Sequence, residues 1–184
     1  QTGLQPRLQA FDFAWVAVAG QDDLLAAVEQ RIEGVEELFL GAILAGEKLD
    51  VVDQQRVDLL EQALHIALDV VNAENGSVLL ADTDNRTLVF FHSIGEKPVP
   101  PGTELPWHEG IAGTVYKTGI PEIVPDAQAD TRHFKKVDEA TGAVTHDMIT
   151  IPLKRWEGDP IGVIQVMNKR GGKFLDRNDL AILT

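Results

Sequence analysis

The sequence contains no cysteine. That absence removes disulfides, thiolate metal ligands, a thiol nucleophile and any thioether-linked pigment, and it fits a reducing compartment. Basic charge is scarce as well: 16 Lys and Arg stand against 29 Asp and Glu, a formal net charge of −13. A surface that tracks a nucleic-acid backbone needs clustered Lys and Arg. Only Lys135 and Lys136, beside Arg132 and His133, form such a cluster, so no nucleic-acid partner is expected. Long apolar runs are also missing. None approaches the roughly 18 residues that span a bilayer, and Phe11 to Ala19 is short and carries Asp12. No secretory leader is visible, so the expected location is the cytoplasm, away from membranes. The chain starts at Gln1 and stops inside a helical pattern at Leu180 to Thr184, which reads as a fragment whose output domain lies elsewhere.

What is present suffices for one ordinary domain with a helical arm: 184 residues, 44% of them hydrophobic. Residues 1–20 are Gln-rich and then apolar, compatible with a strand or a short helix. From Asp22 the spacing of Leu25, Val28, Ile32, Val35 and Phe39 predicts a helix that Gly46 ends. A second helix is predicted from about Val51 to Asn72, with Val57, Leu60, Leu64, Ala67 and Val71 on one stripe. Two readings of these stripes stand side by side. Either both cover this domain's own sheet, or part of the surface forms a parallel dimer bundle, since the first helix has no evident sheet to cover. The domain division is 1–50 for the arm and 51–184 for the folded domain.

Two strands around a turn at Asp82 to Asn85 come next, and the proline-rich KPVPPGTELP then bars regular structure until Trp107. Ile111 to Thr118 reads as a short helix ended by Gly119, Pro121 to Val124 as a short strand, and Asp126 to Val144 as a polar segment with one helical turn near Phe134. Met148 to Leu153 and Ile161 to Met167 form a hairpin through Trp156, Glu157, Gly158 and Asp159. Pro152 demands a free flank or a bulge in its strand, and Gly162 marks a close approach by another backbone or a ligand. The order of elements indicates an α+β domain on a mostly antiparallel sheet.

The run GIAGTVYKTGIPEIVPDAQADTRHF, then VDEATG, then IPLKRWEGDPIGVIQVMNKRGGKF, closely resembles the GAF domain, in particular the subgroup of cyclic-nucleotide phosphodiesterases and bacterial adenylyl cyclases. The resemblance covers roughly Val57 to Thr184. It implies a six-stranded antiparallel sheet, the N- and C-terminal helices on one face, a ligand pocket under the other, and parallel dimerisation through N-terminal helices. The subgroup's signature is Asn-Lys, then Phe, then Asp-Glu. Asn168, Lys169 and Phe174 occupy their places, but the acidic pair reads Asn178-Asp179. The lock between Lys and Asp would then have to use Asp179 or Asp176.

Family members that bind cyclic nucleotides place their pocket on positions that fall here on Ser77, Phe91, Ile111, Ala112, Thr141 and Thr145, with Asp138 added to the candidate set. His92 stands for an acid, Gln165 for a Glu and Phe134 for a Tyr, so base selectivity does not carry over. Ile111 and Ala112, at a helix N-terminus, offer backbone N–H groups to an anion; the bland alternative is a tight turn packed on the sheet. The five histidines follow no metal-ligand spacing, and no nucleophile with an adjacent base is evident. The expectation is a noncatalytic sensor of a small ligand, cyclic AMP or cyclic GMP being the foremost class. The alternative is a ligand-free dimerisation or spacer module filled by its own side chains.

Overall fold

The computed structural model describes residues 54–154 and 158–184. The first predicted helix, residues 1–53 generally, and Trp156 with Glu157 in the hairpin turn lie outside them. Chain order is α1 (Gln54–Val71), β1 (Ala73–Asp82), β2 (Thr87–Ile94), β3 (Glu104–Pro106), α2 (Gly110–Thr118), β4 (Glu122–Val124), α3 (Lys135–Thr141), β5 (Met148–Lys154), β6 (Pro160–Lys169) and α4 (Arg177–Leu183). The strands form one antiparallel six-stranded sheet in the order β3-β2-β1-β6-β5-β4.

Side-chain alternation along β1, β5 and β6 divides the interior into two layers. On one side α1 lays Leu60, Leu64, Ala67 and Val71 against Val78, Leu80, Ile149, Ile151, Ile164 and Val166, and Leu175 and Leu183 of the C-terminal segment join them. The α1 stripe therefore packs on this chain's own sheet; the dimer-surface reading is corrected for these four residues, because a buried intramolecular face has nothing left to share. On the other side Leu79, Leu88, Phe90, Met148 and Val163 meet Ile111, Ala112 and Val115 of α2. A cavity lies in this second layer.

β3 is a correction to the sequence reading. Three residues of the proline-rich segment pair with β2, Thr87 opposite Pro106 and Val89 opposite Glu104. An edge strand needs donors on one side only, so a terminal proline is tolerated there. The same logic explains Pro152. It pairs with Val163 of β6 on one side, while β4 is so short that it reaches only Met148, Ile149 and Thr150 on the other. At Gly162 the close neighbour is protein: a Cβ there would collide with the Leu79 carbonyl of β1.

β2 departs from simple alternation. Val78 pairs with His92 and the next residue, Leu79, pairs with Phe90, which leaves Phe91 as the extra residue of a bulge. Phe91 turns to the helix side and packs with the α1 layer, whereas Phe90 enters the cavity layer.

Candidate functional site

The cavity is small, about 60 Å³, and lies between the sheet, α2 and α3. Its floor carries Ser77 and Gln165, the middle of a polar row running across four strands. Ser93 pairs with Ser77, Ser77 with Gln165, and Gln165 with Thr150. The Ser77 and Ser93 hydroxyls are 3.0 Å apart, and the Val99 N–H donates to Ser93 Oγ at 3.3 Å. Gln165 Nε2 donates to Thr150 Oγ1 at 3.2 Å and leans on the Met148 sulfur at 3.8 Å. Because cross-strand partners share a face, this row follows from register alone.

One wall is the first turn of α2. Ile111 and Ala112 line the cavity, and Glu109, the N-cap, has extended backbone and makes no side-chain cap. First-turn N–H groups have no acceptor within their helix, and here no side-chain cap supplies one. The helix is held close to the preceding loop at Gly113, where a Cβ would stand 2.8 Å from the Trp107 carbonyl oxygen. No larger residue fits.

The roof is the strap from β4 to β5, and Asp138 organises it. Its Oδ1 accepts from the Thr145 hydroxyl at 2.9 Å, while its Oδ2 accepts from the Thr145 N–H at 3.0 Å and from Gln128 Nε2 at 3.1 Å and lies 3.0 Å from His133 Nε2. Burial pushes the Asp138 carboxyl up, but the donors from Thr145 and His133 together outweigh it and hold the group below the usual carboxylate range. A second tie holds the strap, where Lys97 Nζ donates to the Gly142 carbonyl at 2.7 Å. At the strap's outer end Arg132 joins Asp130 and Glu122, each at 2.8 Å. Its guanidinium hydrogen bonds hold Asp130 low. Asp126 caps the loop by accepting from the Ala129 N–H at 3.1 Å.

Of the sequence-predicted residues, Ser77, Ile111, Ala112, Phe134, Asp138, Thr145 and Gln165 all line the cavity. Three do not. Phe91 faces the α1 layer because of the bulge. His92, opposite Val78, shares that face, and its Nε2 is buried with no hydrogen-bond partner. Thr141 is spent inside the strap, donating to the Val137 carbonyl at 2.9 Å and accepting from the Ala143 N–H at 3.2 Å. Phe90, Val99, Leu105, His133, Val137, Met148 and Met167 line the cavity but were missed, and Ser93 supports the floor through Ser77. Parity with Ser77 marks Met167 and Gln165 as same-face neighbours on β6, and register marks Ser93 on β2; only the bulge reveals Phe90.

Behind the site, the end of β6 is knotted to α4. Lys169 pairs with Asp179, whose other oxygen accepts from the Asp176 N–H at 2.9 Å in a reciprocal capping box. Asp179 thus fills the place that Asn178 vacates. Asn168, at φ 61°, accepts from the His146 N–H and donates to the Val144 carbonyl, each at 2.8 Å. Buried Asp147, unnoticed in the sequence, accepts from the Leu175 N–H at 2.8 Å and the Lys169 N–H at 3.3 Å. Phe174 takes no part in this packing and is 63% exposed. The strap and the C-terminal helix therefore hang from the same strand end.

Comparison with known proteins agrees with this architecture. The profile of the GAF domain matches residues 53–184. A dual 3′,5′-cyclic-AMP and -GMP phosphodiesterase 11 from Drosophila melanogaster is 41% identical over 73 residues, 40% of this chain. A dual 3′,5′-cyclic-AMP and -GMP phosphodiesterase 11A from Takifugu rubripes is 32% identical over 124 residues, 62% of the chain. These matches span only 5% and 14% of the relatives' own lengths. Among solved structures, the GAF domain from an Acinetobacter phosphoenolpyruvate-protein phosphotransferase superposes with a TM-score of 0.57 at 15% identity, over 89% of this chain and 82% of that one. Some proteins sharing the fold are enzymes, free methionine-R-sulfoxide reductases among them. Among the described residues no helix is long and apolar enough to cross a membrane. On sequence profile and sheet topology together, the chain belongs to the GAF domain family.

Proposed function

We propose that this chain is a noncatalytic sensory domain that binds a cyclic nucleotide, cyclic AMP or cyclic GMP, in the cavity between the sheet, α2 and the strap. The observation that carries this reading is the α2 first turn without a side-chain cap, set against the Ser77–Gln165 floor. Backbone amides at a helix N-terminus hold a phosphate, which matters in a protein whose net charge of −13 attracts no anion at long range. Phe90 and Phe134 offer apolar faces to a base, and Ser77 and Gln165 offer donors and acceptors to its edge. The activities for which the two phosphodiesterase relatives are named support this ligand class.

A cavity of about 60 Å³ is far below the ~300–1,000 Å³ of ordinary small-molecule sites. Binding therefore requires the strap to lift and reclose over the ligand. Because strap and α4 share their anchorage at Asp147, Asn168 and Lys169, the ligand would bias the terminal helices toward whichever arrangement it binds better. The arm at 1–50 would carry that bias between two chains in a cytoplasmic homodimer and on to an output domain. The small, largely apolar cavity with Phe90 and Phe134 pointing inward favours a second reading, a ligand-free dimerisation or spacer module.

Calorimetric titration with both nucleotides separates the two. The sensor reading expects micromolar binding, weakened about 3- to 10-fold by Ser77→Ala, the worth of one net hydrogen bond. Absence of heat and of any thermal shift with either nucleotide would leave the spacer reading.

A further inference from the structure

With no cysteine in the chain, its only sulfur atoms are those of two methionines, and both line the cavity. They are direct cross-strand partners, Met148 on β5 and Met167 on β6. Their surroundings differ. Met167 is half-buried, whereas Met148 is 3% exposed and has two donors on its sulfur: Thr150 Oγ1 at 3.7 Å and Gln165 Nε2 at 3.8 Å. The two donations are compatible. One Gln165 amide hydrogen goes to Thr150 Oγ1 and the other to sulfur, while the Thr150 hydroxyl hydrogen remains for the sulfur.

A thioether is a weak acceptor, and two polar donors around one in an apolar layer are more than it needs. A sulfoxide oxygen is a strong acceptor. Donors that stand 3.7–3.8 Å from sulfur would reach an oxygen added on their side at ordinary hydrogen-bond distances of about 2.7–3.2 Å. The cavity, at about 60 Å³, excludes a nucleotide while closed, yet it admits molecules of water's size.

We infer that Met148 is an oxidation site for hydrogen peroxide, with Thr150 and Gln165 forming a ready-made cradle for its sulfoxide. In the step, a sulfur lone pair attacks one peroxide oxygen and forms the S–O bond while the O–O bond breaks. The departing hydroxide takes the proton from the transferred oxygen and leaves as water. Sulfur loses two electrons and the peroxide gains them. Both donors stabilise the negative charge left on the transferred oxygen as it loses its proton, an advantage no donor gives Met167 among the described contacts. The product would place a polar oxygen beside Gln165 and occupy its amide donor, so oxidation would read out at the same floor that faces a ligand. The inference does not depend on which ligand, if any, the cavity takes.

The test is peptide mass spectrometry of the folded protein during exposure to hydrogen peroxide. One added oxygen should appear on Met148 ahead of Met167, and the two rates should converge when the chain is unfolded in urea. If Met167 oxidises first, as exposure alone dictates, or if Met148 stays unmodified until urea is added, the inference is overturned. A second arm concerns the cradle. Thr150→Val should lower the melting temperature of the oxidised protein more than that of the unoxidised protein, and Thr150→Ser, which keeps the hydroxyl, should restore it. Equal loss in oxidised and unoxidised Thr150→Val overturns the cradle.

Discussion

Asp138→Ala is the sharpest perturbation of the strap. The carboxylate has four partners between 2.9 and 3.1 Å, and its side chain is only 14% exposed. Not all four count equally. Gln128 is exposed and can turn to water, and the Thr145 hydroxyl can rotate to another partner. The Thr145 N–H and His133 Nε2, the latter on a ring 6% exposed, have no such recourse. Leaving two buried groups unpaired costs about 1–3 kcal/mol each, so the strap should lose roughly 2–4 kcal/mol after partial relaxation. The loss should be local, because both core layers are built without Asp138. Amide hydrogen exchange is the assay: residues 126–147 should exchange about 30- to 1,000-fold faster, a factor of ten for each 1.4 kcal/mol, while β1 and β6 keep their protection. The sign of the pH effect is fixed too. A carboxyl held below its ordinary 3.8 when folded stabilises the strap above that value, and the stabilisation fades as pH falls through the lower folded value. Unchanged exchange across 126–147 in Asp138→Ala would refute the reasoning.

Three other outcomes follow from the packing. Asp179→Ala removes both the partner of Lys169 and half of the α4 capping box; a partly buried pair broken on one side should cost about 3–5 kcal/mol in urea denaturation, and a loss under 1 kcal/mol would show the knot to be ornamental. Gly162→Val should cost several kcal/mol or abolish folding, since its first added atom meets the Leu79 carbonyl; a normal thermal midpoint would contradict the register of β1 and β6. Leu60→Asp should unfold the domain, because Leu60 is 2% exposed within its own core; a folded protein altered only in sedimentation mass would restore the shared-surface reading of the α1 stripe.

Much of this was legible in the residues, for a physical reason. Ser77, Gln165 and Thr150 sit on strands with regular alternation, so their face is fixed by parity once the strands are paired. The α1 stripe fixed its own burial in the same way. Phe91 and His92 entered the candidate set through the family resemblance and not through parity: His92 faces the helix side because it pairs with Val78, and Phe91 joins it there because of the bulge. Without one, the pairing of Val78 with His92 would set Leu79 opposite Phe91, and the bulge gives that place to Phe90. β3 was hidden by its proline, which composition reads as a breaker and an edge strand accepts. Asp138 lines the cavity, but nothing in the sequence revealed that its oxygens accept from Thr145, His133 and Gln128. Asp147 and Asn168 serve backbone groups distant in sequence, and such partners have no local signature.

The claim that this domain senses a nucleotide by closing its strap is tested most directly by amide hydrogen exchange with and without saturating cyclic AMP or cyclic GMP. The account predicts slowed exchange in the first turn of α2 and across residues 126–147, with a smaller effect reaching α4 through the end of β6. Identical exchange with and without either nucleotide would contradict it.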